Sequence, residues 1–366
     1  MFLFEGTATG LSGWHHVHQA TSPALGVNEN GDRFGAALAA ADFDLDGKED
    51  LAIGAPDEDA DPIVDSGWVF VFEGTSSGVA PWQAFGQSAL ETDETNDEFG
   101  HALAVGRLNN DLYWDLAVGS PERGLGSGSV FVFTGNSTGL TGFDQLKQSD
   151  VGGSNEEDDY FGSALAIADF SGDGRHDLAV GAPGEDIESS NLVDAGQVYM
   201  FKPVLNSING WHHFGQSGLG VDESGDYFGS SLAAGEVWNT GAGNKPDLVV
   251  GAPGEDLNSA SVDNAGAVFV YSGGSTDMVG RIVVFEDDTL TLSAFTDTPE
   301  SEDYDRFGAA LCIGNFDGDA DGDLVVGVPM EDSYDQGGFV QFPNDDANNW
   351  FTWVYPIQQS YSAVLY

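Results

Sequence analysis

The chain has 366 residues, 41% of them hydrophobic, enough to close a sizeable core and unlike a disordered chain. Its 61 acidic residues against 10 basic ones give a formal charge of -51, a balance that repels nucleic acid and anionic membranes and attracts cations. The lone cysteine excludes an internal disulfide, and 51 glycines favour many short strands with tight turns over long helices.

No apolar run approaches the roughly 18 residues that would predict a membrane-spanning helix, and no export signal opens the chain. Cys312, between Leu311 and Ile313, reads as a small buried apolar residue.

In chain order, MFLFEG and WHHVHQA predict two strands of a partial repeat over residues 1–25. Five fuller units follow, over 31–91, 96–152, 157–220, 225–299 and 304–360 of a single domain, 1–366. Phe-Gly pairs stand at Phe34-Gly35, Phe99-Gly100, Phe161-Gly162, Phe228-Gly229 and Phe307-Gly308. Each is followed by a Gly-x-Pro ending at Pro56, Pro121, Pro183, Pro253 or Pro329. Intervals of 65, 62, 67 and 79 residues make this an internal repeat.

Each unit predicts four strands. The first follows Phe-Gly (FGAALAAADF), the second runs into Gly-x-Pro (DLAIGAP), and the third is aromatic and β-branched (VFVFEG). The fourth carries an aromatic residue five positions before a Gln: Trp14 and Gln19, Trp82 and Gln87, Phe143 and Gln148, Trp211 and Gln216, Trp353 and Gln358. One unit departs, reading GRIVVFEDDTLTLSAF. Small residues in the first strands and aromatics in the outer ones predict an all-β fold, a β-propeller of four-stranded blades. A β-solenoid competes, but its repeat would be shorter. The half unit at the start and the short tail YSAVLY predict a chain cut from a longer propeller, with irregular pairing of the ends as the alternative.

The loop between first and second strands concentrates acids. It reads Asp42-x-Asp44-x-Asp46-Gly47-x-x-Asp50 in the first unit, Asp169-x-Ser171-x-Asp173-Gly174-x-x-Asp177 in the third, and Asn315-x-Asp317-x-Asp319-x-x-x-Asp323 in the fifth. Oxygen donors at alternate positions can wrap one hard cation, a glycine allows the tight turn, and the carbonyl two residues after the third donor (Lys48, Arg175 or Asp321) can add a ligand. An EF-hand would need a Glu where Ile53 stands, so only its first half is similar. Calcium suits this flexible, carboxylate-rich shell better than magnesium, which predicts about three calcium sites. The second unit has Arg107 at the first ligand position, with Asn109, Asp111 and Asp115 after it, and Arg107 is expected to fill or block the cation's place. The fourth offers only Glu236, Asn239 and Asp247.

Asp32, Asp97, Asp159, Asp226 and Asp305 recur just before the Phe of each Phe-Gly pair, and a Glu commonly follows Gly-x-Pro. Their recurrence predicts a structural task, hydrogen bonding to backbone amides in turns, against simple solvation. His15-His16 and His212-His213 sit in the same strand of the repeat, each after a Trp, so they read as strand residues rather than a metal cluster; His18, His101 and His176 are isolated. None of the common hydrolase, nucleotide or redox motifs is present, and no carboxylate pair stands out from its equivalents in the repeat. The chain is therefore expected not to be an enzyme.

Phe-Gly, DxDxDGxxDL and Gly-Ala-Pro together resemble the FG-GAP repeats of integrin alpha-subunit propellers, most fully in FGAALAAADFDLDGKEDLAIGAP and FGSALAIADFSGDGRHDLAVGAP. The resemblance covers nearly the whole chain. It implies a propeller, usually seven-bladed, with calcium in some first-to-second strand loops; by that count about one and a half blades lie outside this chain. It further implies a secreted or cell-surface setting and adhesion, or binding to a protein or glycan partner, without membrane insertion. Some secreted phospholipases carry similar repeats, so a non-catalytic scaffold of such a hydrolase is the alternative. No connection is long enough to hold an inserted metal-dependent adhesion domain.

Overall fold

A computed structural model describes residues 2–7, 10–19, 29–60, 62–187, 189–204, 207–216, 219–237, 245–256, 263–284, 303–316, 322–330, 338–342, 344–345, 349–350 and 353–356. β1 (Phe2–Thr7) and β2 (Gly10–His16) form an antiparallel hairpin. Among the described residues five four-stranded sheets follow, each in sequence order. The first holds β3 (Leu38–Ala41), β4 (Asp50–Ala55), β5 (Trp68–Thr75) and β6 (Gly78–Phe85). The second holds β7 (Leu103–Gly106), β8 (Asp115–Ser120), β9 (Ser129–Asn136) and β10 (Gly139–Leu146). The third holds β11 (Ala164–Ala168), β12 (Asp177–Ala182), β13 (Gln197–Val204) and β14 (Ser207–Phe214).

The fourth holds β15 (Ser231–Gly235), β16 (Asp247–Ala252), β17 (Ala267–Ser272) and β18 (Val279–Val284). The fifth joins β19 (Ala310–Gly314), β20 (Asp323–Val328) and β21 (Gly338–Phe342) to β24 (Trp353–Pro356), with a small hairpin of β22 (Asn344–Asp345) and β23 (Asn349–Trp350) between the last two. Among the described residues no helix is long and apolar enough to cross a membrane.

The second and third strands are buried on both faces, which is why DLAVGS and SVFVFTGN are nearly continuous in apolar and small residues rather than alternating. Bulges interrupt the third-to-fourth strand pairing at Val71/Phe72, Gly142/Asp144 and Val270/Tyr271. Each bulge bends the strand and adds twist.

The chain divides into two compact units: Met1–Ile167, Arg175–Leu178 and Met200–Trp211; and Ala168–Gly174, Ala179–Tyr199 and His212–Tyr366. In the first, Val69, Val71, Phe99, Val118, Phe131 and Phe133 form one core. In the second, Val249, Val268, Val270, Phe307 and Val326 do the same.

Within each unit, neighbouring repeats are stitched by backbone. In the first unit, the Asn96, Glu98 and Phe99 amides donate to the carbonyls of Val64, Asp65 and Ser66, and those of Asp158 and Tyr160 donate to Leu125 and Gly126. In the second, the amides of Tyr227 and Phe228 donate to Asp194 and Ala195, and those of Arg306 and Phe307 to Asn264 and Ala265. The glycine before each third strand makes this seam possible. Gly67 and Gly128 have φ of 79° and 76°, and a Cβ on either would lie 2.2 or 2.1 Å from the carbonyl oxygen of Phe99 or Phe161. Only glycine supplies both the left-handed conformation and the clearance.

The first strands follow the Phe-Gly pairs, and Phe99, Phe161, Phe228 and Phe307 are buried in the turn before them, where they plug the core. One expectation changes. Cys312 is exposed, because alternation along β19 turns it away from the face that Leu311 and Ile313 present to the core. The segment after Val284 in the irregular unit, Gln358 and the tail YSAVLY lie outside the described residues.

Candidate cation sites

The first loop folds around its leading aspartate. Asp42 accepts the Asp46 amide on Oδ1 (3.0 Å) and the Gly47 amide on Oδ2 (2.9 Å), while Asp44 Oδ1 also accepts from Asp46 (3.0 Å). Leu45 and Gly47, at φ of 60° and 90°, make the turn that points these amides inward. Asp50, at the start of β4, accepts the Phe43 amide on Oδ2 (3.0 Å) and the Gly74 amide on Oδ1 (2.8 Å), tying the loop to the end of β5. Burial raises the Asp50 pKa above the ordinary carboxylate value against the pull of those two amides.

Asp42, Asp44 and Asp50 each offer a carboxylate oxygen, and these lie within 4.8 Å of one another. Three hard oxygen donors this close fit an oxygen-preferring divalent ion, and a backbone fold that already spends its amides on the same carboxylates keeps them in place. Asp46, expected as a further ligand, pairs with the Lys48 ammonium, which holds its carboxyl below the usual range.

The third loop repeats the arrangement. Asp169 accepts the amides of Asp173 and Gly174 on its two oxygens, both at 2.9 Å, and Gly174 again has φ of 90°. Ser171 is buried, and its carbonyl accepts the Lys245 ammonium at 2.6 Å. Arg175 donates its guanidinium to the Pro203 carbonyl (3.3 Å), and Asp177 is buried at the start of β12. In the fifth loop Asn315 is exposed and Asp323 accepts the Phe316 amide at 2.5 Å; Asp317, Asp319 and Asp321 lie outside the described residues.

The second loop closes on itself. Asn109 Oδ1 accepts the Asp111 amide (2.8 Å), its Nδ2 donates to Asp111 Oδ2 (2.9 Å), and Asp111 Oδ1 accepts from Tyr113 (2.9 Å). The Arg107 guanidinium lies over the Trp114 ring of the same loop, 5.1 Å from the centroid. Asp115 accepts the amides of Leu108 (2.7 Å) and Gly135 (3.1 Å), and burial pushes its pKa up to about 7. In the fourth loop Asp247 accepts from Val237 (3.0 Å), and Asn239 lies outside the described residues. The last acid of the loop thus anchors the second strand even where the cation pattern is gone. That second task was hidden in the sequence, although its persistence in all five units was a visible signal.

The aspartates before Phe-Gly do bond turn amides. Asp32, Asp97, Asp159 and Asp226 accept the amides of Glu29, Glu94, Glu156 and Glu223 at 2.6–2.8 Å. Around them gather two further recurring residues, the Gln after the fourth strand and the residue two beyond Gly-x-Pro. Gln19 donates to Glu58, whose carboxyl also meets Asp32 and is pushed up to about 8, chiefly by burial. In the second repeat Arg123 stands where Glu58 stands in the first. Its Nη1 reaches Gln87 Oε1 (3.1 Å), the Thr92 carbonyl (3.1 Å) and Asp97 Oδ2 (3.3 Å). The three residue types were each seen to recur; that they meet was not legible.

His101, His176, His212 and His213 have partners within the protein. His15 and His16 lie on β2. His212 pairs with Asp277 (2.9 Å), and His213 bonds Gln197 (2.6 Å) and stacks on Tyr199. His101 bonds Glu98 (2.9 Å), and His176 Nδ1 accepts the Arg107 amide (3.2 Å).

The FG-GAP repeat profile matches residues 34–72, 161–201 and 307–341. Integrin alpha-4 of Xenopus laevis is 35% identical over 43% of this chain and 15% of its own length. The phosphatidylinositol-glycan-specific phospholipase D of Dictyostelium discoideum is 26% identical over 93% of this chain and 36% of its own length; that of Bos taurus is 27% identical over 81% and 35%. The chain thus spans about a third or less of these relatives. What the sequence and the sheets establish together is an all-β FG-GAP repeat region, related both to integrin alpha chains and to phosphatidylinositol-glycan-specific phospholipases D.

Proposed function

We propose that this chain is a calcium-stabilised, non-catalytic β-propeller region that serves as an interaction scaffold within a secreted phospholipase-type protein. The observation that carries this reading is coverage: the similarity to the Dictyostelium phospholipase D runs through 93% of the chain, whereas that to integrin alpha-4 runs through 43%. The commitment of the recurring aspartates to backbone amides supports a structural rather than a chemical task for them.

Closure into a propeller is supported by the approach of successive first strands. β3 lies against β7 and β15 against β19, and Gly106 and Gly235 leave room for Ile167 and Ile313. Calcium in the loops of the first, third and fifth repeats is supported by the Asp42, Asp44 and Asp50 triad and by the matching turn at Asp169. When bound, the ion supplies positive charge and rigidity, while the protein's amides orient the carboxylates. Adhesion is the second reading, favoured by the integrin matches.

The test uses the purified chain with calcium and detergent micelles carrying a reporter on a phosphatidylinositol-glycan anchor. A scaffold releases none of the reporter. Release that is lost on substituting buried carboxylates of this chain would overturn the reading.

A further inference from the structure

The side chains that meet beside the Phe-Gly turns of the first, second and fourth repeats raise a charge problem that the second repeat solves and the fourth does not. In the second repeat the members are Gln87, Asp97 and Arg123, and the guanidinium neutralises Asp97 while filling the acceptor Gln87 Oε1. In the fourth the members are Gln216, Asp226 and Glu255, all at least nine-tenths buried, with a carboxylate in place of the guanidinium. Gln216 Nε2 donates to Asp226 Oδ2 at 2.7 Å. Among the described residues, Gln216 Oε1 and Glu255 Oε2 have no hydrogen-bond partner within the protein. Two buried acceptors beside a second carboxylate ask for a positive ligand, because an unsatisfied buried acceptor and an unpaired buried charge are both costly.

We propose that Gln216, Asp226 and Glu255 form a second kind of cation site, which holds one oxygen-preferring divalent ion of the calcium type. Two carboxylates balance its charge, and the amide oxygen of Gln216 and Oε2 of Glu255 are the acceptors it satisfies. The ion stands where Arg123 Nη1 stands in the second repeat. Burial first, and then the charges of Asp226, Glu223 and Asp256, push Glu255 up to about 8 against a hydrogen bond from Gln216, and burial pushes Asp226 up to about 7. The site is independent of the strand-connecting loops: the fourth repeat has no acidic pattern in its own loop, so a metal lost from this repeat is lost from the cluster.

The experiment counts calcium per chain by equilibrium dialysis and atomic emission in the wild type, Glu255→Gln and Glu255→Arg, with folding checked by circular dichroism. Glu255→Gln is nearly isosteric, and Glu255→Arg copies the second repeat, so one decides if the other fails to fold. Each is expected to bind one calcium fewer than the wild type, and Glu255→Arg to lose less thermal stability on chelation than the wild type does. An unchanged calcium count in the folded variants overturns the site. Loss of a pH-dependent part of the stability with no change in bound calcium would assign a shared proton to the pair, and overturns it equally.

Discussion

The seam between repeats yields the sharpest test of the packing. Gly128→Ala forces a Cβ to within 2.1 Å of the Phe161 carbonyl oxygen and 2.6 Å of its nitrogen, both backbone atoms that cannot rotate away. Holding alanine at a φ of 76° costs about 1–2 kcal/mol by itself. Relieving the clash separates the strands of the seam and breaks the bonds from the amides of Asp158 and Tyr160, at about 1 kcal/mol each. The sum is about 3–4 kcal/mol.

Gly152→Ala is the control, since Gly152 has φ of 90° but nothing within 4 Å of its missing Cβ. It should cost only the conformational part, about 1–2 kcal/mol. Urea unfolding of both variants in saturating calcium, followed by tryptophan fluorescence, measures the difference. If Gly128→Ala and Gly152→Ala are destabilised alike, the close approach of glycine to the next Phe-Gly turn does not hold the repeats together.

Three further outcomes are expected. Asp42→Asn removes charge from the triad and should weaken one calcium site by at least tenfold in titration calorimetry while the circular dichroism spectrum stays that of the wild type; an unchanged affinity would take Asp42 out of the site. Lys48→Met removes the ammonium that competes for Asp46 and should tighten the same site about two- to fivefold; unchanged or weaker binding would mean that the pair does not compete with the ion.

Asp115 has a folded pKa of about 7 against about 4 in the unfolded chain, so the folded state holds its proton more tightly. Its contribution is complete below the unfolded value and declines as pH rises through about 7. The melting temperature should therefore fall between pH 5.5 and 8.5 by less in Asp115→Asn than in the wild type; equal slopes would deny that burial controls this group.

Much of the fold was legible because the signals are local. Gly-x-Pro punctuation, aromatic third strands and the Trp-to-Gln spacing each mark a strand within a few residues, and five copies make chance agreement implausible. The seam was not legible, since Gly67 meets Phe99 and Gly128 meets Phe161 only once two repeats are folded beside each other. A glycine before a strand looks like ordinary turn chemistry until its neighbour is known. The loop was half legible: alternating acids named a cation site, but Asp50 also bonds Gly74 across the sheet, and its equivalents Asp115 and Asp247 keep an anchoring bond in loops that have lost the other donors. Cys312 was misread because its apolar neighbours in sequence face the other side of the strand.

Thermal unfolding of the chain with and without calcium, at constant ionic strength, is the most direct measurement. Ions that bind only the native loops stabilise it by an amount that grows with the logarithm of free calcium, about 2.7 kcal/mol per site at a hundredfold excess over the dissociation constant. The expected result is a melting temperature that climbs steadily with free calcium and falls on chelation. Coincident transitions in chelator and in saturating calcium would contradict a scaffold held together by bound cations.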